Sequence, residues 1–292
     1  MNDTNNEKTL IDVDTTNVTS VSSEIEYSDT HYLTLILIYF VTMYFGASIA
    51  QILVMFSYNI FYDLPTSYVN SDGLTVFTQH YQDYVNLWTQ IGVYTIIFIV
   101  LVYLLRKVFV HDLIRSKNNV KLTLKKAVLG IAYVYIASFI CNFILTLLNV
   151  VDQSENQNAI VDMLGSSQKM AVLIYCLILI VVAPIVEELI FRKAMFGFLR
   201  KFNMTNTLKI VISGILFGGI HVATSIFVMI LERAPGSEIL TEMLLGIPYI
   251  VMGFVLGYIY SESEENVVVP TLVHMFNNGL SVIANLMLIN MQ

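Results

Sequence analysis

VVAPIVEELIFR, residues 181–192, places two adjacent carboxylates and an arginine inside a run that otherwise reads as membrane helix. A charged side chain at bilayer depth costs about 2.5–3.5 kcal/mol on insertion scales, so such residues mark a functional site with partners elsewhere in the chain. Later apolar segments supply candidates in His221 and His274.

The setting is membrane-like throughout. The 292 residues are 56% hydrophobic and 13% charged, which is too apolar for a soluble domain and sufficient for one helical membrane domain. We therefore expect an all-α, polytopic bundle of transmembrane helices. Both cysteines, Cys141 and Cys176, fall in apolar runs, which argues against a disulfide framework or a Cys-based zinc site. The net charge of −7 argues against nucleic-acid partners.

Residues 1–30 are rich in Thr, Asn, Ser and acid and are expected to form a disordered polar tail. No basic start precedes the first apolar run, so that run is expected to span and not to be cleaved. Spans are expected at about 33–56, 85–105, 127–149, from 170 through the Glu pair, 208–230, 239–260 and 267–289. That makes seven, and the polar region 57–84 leaves room for a partial eighth. Within this plan, 31–124 forms the amino-terminal helices and loops, and 125–292 forms the core that carries the polar residues. Of fifteen Lys and Arg, seven lie in the loop 106–126 and five more (Arg192, Lys193, Arg200, Lys201, Lys209) between the fourth and fifth spans. Both loops fall on the same side, which the positive-inside rule makes cytoplasmic, with the amino terminus. The basic loop serves as a topology signal with lipid-headgroup contacts.

Depth follows from the helical rise. Glu187 precedes Arg200 by thirteen positions and His221 follows Lys209 by twelve, which puts both about 18–20 Å from the cytoplasmic end. His274 and Asn278 overlap that depth. Glu188 and Arg192, at i and i+4, share a helix face, leaving Glu187 to face the histidines. Pro184 removes a backbone donor and can kink the helix. Gly214, Gly218 and Gly219, with Gly253 and Gly257 in the next span, allow close helix approach.

A carboxylate, two imidazoles and a carboxamide at one depth suit hydrolysis. Glu187 can take a proton from water and return it to a leaving amine, with His221 holding that water. His274 and Asn278 can donate to the developing oxyanion. Alternatively Glu187, His221 and His274 bind a divalent metal such as zinc that activates the water. The spacing leaves both routes open.

In chain order, EELIFR looks like an EExxxR motif, FGGIH (residues 217–221) like FxxxH, and HMFNN (residues 274–278) like HxxxN. Together they resemble the CPBP intramembrane proteases, also called the CAAX protease, bacteriocin-processing or Abi family, over about residues 125–290. The resemblance implies a helical membrane endopeptidase acting on a membrane-associated peptide or protein. It makes Glu187 the water-activating base and His221 its partner, puts His274 and Asn278 on the oxyanion side, and gives Glu188, Arg192 and Phe217 supporting places. Metal-dependent and metal-free glutamate mechanisms both remain open, so the cofactor is a divalent metal or none. A multi-pass protein of a bacterial plasma membrane fits the low-complexity tail. The rival classes are a non-catalytic scaffold or bacteriocin-immunity-type protein and a proton-coupled transporter. The first would have little reason to bury the full polar set, and no internal repeat supports the second.

Overall fold

The structure, a computed structural model, describes residues 27–62 and 64–291. The expected tail therefore lies outside the described residues up to position 26. Asp29 and Thr30 instead open the first helix, and Ser28 accepts from the His31 N–H as its N-cap.

Among the described residues, seven helices are long and apolar enough to cross a membrane. They are α1 (Asp29–Phe61), α2 (Gln79–Leu104), α4 (Val120–Leu147), α6 (Lys169–Arg200), α7 (Asn206–Leu231), α8 (Gly236–Glu262) and α9 (Val268–Met291). Two shorter helices, α3 (Arg106–Asn118) and α5 (Glu155–Gly165), connect them. Region 57–84 holds no eighth span among the described residues. Between the end of α1 and the start of α2 it forms a two-stranded antiparallel hairpin, β1 (Ser67–Val69) with β2 (Thr75–Phe77), Ser67 opposite Phe77. Gly73 at φ 78° and the Asn70 side chain, which accepts from the N–H groups of Asp72 and Leu74, make that turn.

The chain's own punctuation sets the helix starts. Thr78 caps α2 and Thr205 caps α7. Asn149, Asn203 and Arg233 adopt left-handed φ where α4, α6 and α7 stop.

The helix α6 is the centre of the bundle: 44% of its apolar window is buried, against 17–33% for the other six spans. Its residues Val186, Leu189, Ile190, Phe191 and Ala194 pack against Leu35 and Tyr39 of α1, Ile97 and Leu101 of α2, and Phe217 of α7. Large apolar side chains such as Phe45, Ile60 and Phe139 stay exposed on the outside of the bundle, where lipid is their solvent.

The helices α7 and α8 touch at backbone level. A Cβ on Gly218 would sit 2.4 Å from the Ile250 nitrogen, and one on Gly253 would sit 2.8 Å from the Gly214 Cα. Gly219, by contrast, faces open space, and Gly257 makes ordinary contact at 3.4 Å. The expected close approach is therefore carried by Gly214, Gly218 and Gly253.

Region 106–126 is helical over most of its length and partly buried. Asp112, 2% exposed, accepts from the Val267 N–H at 3.0 Å and pairs with Lys193 Nζ at 2.9 Å. A carboxylate from α3 thus caps the start of α9. The turn 262–265 gathers the neighbouring cations. Lys126 donates to the Glu262 carbonyl at 2.7 Å, Arg115 donates to the Glu264 carbonyl at 3.0 Å and pairs with its carboxylate, and Arg200 pairs with Glu265. Arg115 and Lys126, expected at lipid headgroups, are thereby engaged within the protein.

Candidate active site

The helix α6 is not a regular α-helix around its charged pair. Residues 178–182 and 189–194 are wound as π-helix on either side of Ala183–Glu188, a distortion that recurs at functional sites. The first has a local cause. The Ala183 N–H reaches back five residues to the Ile178 carbonyl, so the next carbonyl, Leu179, faces Pro184, which has no N–H to give. Asn278 of α9 supplies it, donating from Nδ2 to the Leu179 oxygen at 3.0 Å. Its Oδ1 in turn accepts from Asn277 Nδ2 at 3.4 Å.

The two glutamates have different surroundings. Glu188 is fully buried and has both oxygens engaged. Its Oε1 accepts from His274 Nδ1 at 3.0 Å, and its Oε2 lies 2.9 Å from Arg192 Nε. The Arg192 contact is an ion pair without hydrogen-bond alignment, since none of the guanidinium nitrogens has a hydrogen-bond partner among the described residues. The Phe217 ring also faces Arg192, its centroid 4.9 Å from the guanidinium carbon. The i, i+4 pairing expected from the sequence is present.

Glu187, 4% exposed, makes no ion pair with Arg192 among the described residues. Its Oε2 lies 3.7 Å from His274 Nε2, and its Oε1 accepts from the Tyr94 hydroxyl at 3.3 Å. The 3.7 Å gap is longer than a hydrogen bond, a common condition before substrate tightens a site. His274 thus spans the two carboxylates. Its Nδ1 is turned to Glu188 and its Nε2 to Glu187.

His221 also packs on Phe217. Its Nδ1 donates to the Phe217 carbonyl at 2.8 Å, which leaves Nε2 as the free ring atom. The ring stacks on Tyr249 at 4.5 Å, with the planes within 15°. Tyr249 is tied to Ser154 by a hydroxyl contact of 2.9 Å. The Phe217 ring touches both imidazoles, tilted against His221 at 5.0 Å and edge-on to His274 at 5.6 Å. No hydrogen bond or ion pair joins His221 to Glu187 among the described residues, and the imidazole in contact with Glu187 is His274. Sequence reasoning passed over Tyr94, Tyr249 and Asp112. The only signal for Tyr94 was a hydroxyl in mid-span.

Glu187, His221 and His274 do not form the metal-ligand set considered from the sequence. Among the described residues no three His, Cys, Asp or Glu side chains converge as a metal site requires. No step is therefore routed through a metal.

No curated protein and no solved structure matches the chain. Residues 169–280, from the start of α6 into α9, match the family described as Type II CAAX prenyl endopeptidase Rce1-like. That stretch contains Glu187, Glu188, Arg192, Phe217, His221, His274 and Asn278, and over it the chain is similar to the CPBP, or CAAX protease, family of membrane endopeptidases.

Proposed function

We propose that this chain hydrolyses a peptide bond in a membrane-associated peptide or protein, with Glu187 as the base that activates water. The observation that carries this is the buried chain Tyr94–Glu187–His274–Glu188–Arg192, deep in a bundle whose outer surface is apolar. Glu188 and Arg192 balance each other and hold His274, which leaves Glu187 as the carboxylate free to exchange a proton.

In this mechanism a water hydrogen-bonded to His221 Nε2 attacks the scissile carbonyl carbon while Glu187 takes its proton. The carbonyl oxygen becomes an oxyanion, stabilised by His274 and by the second N–H of Asn278, whose first is used on Leu179. When the C–N bond breaks, Glu187 returns the proton to the leaving amine, so protons balance over the cycle. The site opens to the cytoplasmic half of the bilayer, and the amino terminus lies on the cytoplasmic side.

The test is to express wild type and Glu187→Ala in membranes at matched abundance and compare released peptides by mass spectrometry, with and without chelator. The expected outcome is a set of products present in wild type, absent in the mutant and unaffected by chelator. Identical product profiles would replace the protease with a non-catalytic scaffold. Loss of products with chelator would restore a metal to the mechanism.

A further inference from the structure

We infer that Tyr94 is a positioning residue for Glu187, holding Oε1 so that Oε2 is the oxygen turned to His274. This rests on the protease reading above and extends the site to an element outside the family match, since α2 precedes residue 169.

Three observations carry it. First, α2 presents an apolar stripe to its neighbours, in which Leu87, Ile91, Ile97 and Leu101 are buried at helical spacing. Tyr94 lies on that stripe, and its hydroxyl ends on Glu187 at 3.3 Å. Second, a buried carboxylate needs donors, and the two glutamates meet that need differently. Glu188 has His274 on one oxygen and the Arg192 ion pair on the other, whereas Tyr94 is the only side chain within hydrogen-bond distance of Glu187 among the described residues. Third, the two Glu187 oxygens have different neighbours, Tyr94 on one and His274 at 3.7 Å on the other.

The terminal torsion of a glutamate is broad and roughly two-fold. Without a donor on Oε1 the plane of the carboxylate would turn within that broad well, and the distance from His274 to the nearer oxygen would vary with it. A phenol is well suited to prevent this, because its ring is anchored in apolar packing while its O–H supplies one directed hydrogen bond. Tyr94 acts on the reaction through Glu187 and need not touch the substrate.

The experiment uses the full-length protein, purified and returned to vesicles, with a peptide identified as a Glu187-dependent product precursor. Wild type, Glu187→Ala, Tyr94→Phe and Tyr84→Phe are compared. Tyr84→Phe is the control, because it removes a hydroxyl from the same helix whose partner, Ser57 at 2.9 Å, lies away from the glutamates. Tyr94→Phe is expected to lower kcat about 10- to 100-fold per folded molecule, from loss of one hydrogen bond to a charged group. KM should stay within about two-fold and thermal stability should match that of Tyr84→Phe, which keeps wild-type kcat. Unchanged kcat in Tyr94→Phe would overturn the inference, as would an equal loss in Tyr84→Phe or a loss accounted for by unfolding. If Glu187→Ala cleaves like wild type, the protease reading falls and this inference with it. If Glu187→Ala is inactive while Tyr94→Phe is fully active, only the inference falls.

Discussion

Arg192 is a cation with no exposed surface, held by one carboxylate and the face of one phenylalanine. Removing one member of a buried ion pair costs about 3–5 kcal/mol, because the other is left charged and unpaired. Arg192→Ala should therefore lower the thermal midpoint of the purified protein sharply, in a calorimetric or fluorescence melt, and disturb His274 through Glu188. A melt like that of wild type would show that Glu188 needs no such partner. This pair was legible in the sequence because i, i+4 spacing on a helix is a local rule. The role of Asn278 toward Leu179 was not, because it depends on a carbonyl freed by Pro184 and the π-helical turn before it. Nor was the pairing of His274 with Glu187, since linear depth says which residues share a level but not how each helix is turned about its axis.

Between elements, the seam of α7 and α8 decides whether His221 and the Glu pair stay in register. Gly218 sits against the backbone of Ile250, which cannot move aside as a flexible side chain would. Overpacking of this kind costs about 1–3 kcal/mol, so Gly218→Ala should reduce both the melting temperature and the cleavage rate. Gly219→Ala, with no neighbour within 4 Å of the new Cβ, should leave both close to wild type. Equal effects at the two positions would mean that the seam does not control the site. The sequence showed small residues at contact spacing, but it could not distinguish Gly218 from Gly219, because the direction each faces depends on the rotation of α7 about its axis. The helix α3 was less legible still. Its charges read as a loop at the headgroups, whereas Asp112 is inserted under the start of α9 and helps to place the helix that carries His274.

At the scale of the whole molecule, the seven spans were legible because the hydrocarbon core demands long apolar runs. The hairpin in 67–77 was not, since short polar strands carry no comparable signal. The acidic turn 262–265 collects cations from three other helices at the end of the bundle assigned to the cytoplasm. Single cysteines at Glu264 and Ser237 should therefore be labelled by an impermeant maleimide from opposite faces, Glu264→Cys only from the cytoplasmic one. Labelling of both from one face would refute the topology. The central claim, that Glu187 activates water to cut a peptide bond, is tested most directly by running the vesicle reaction in heavy-oxygen water. We predict one heavy oxygen in the new carboxyl terminus of the product with wild type and no product with Glu187→Ala. Product formed by Glu187→Ala at the wild-type rate, or a wild-type product without heavy oxygen, would contradict it.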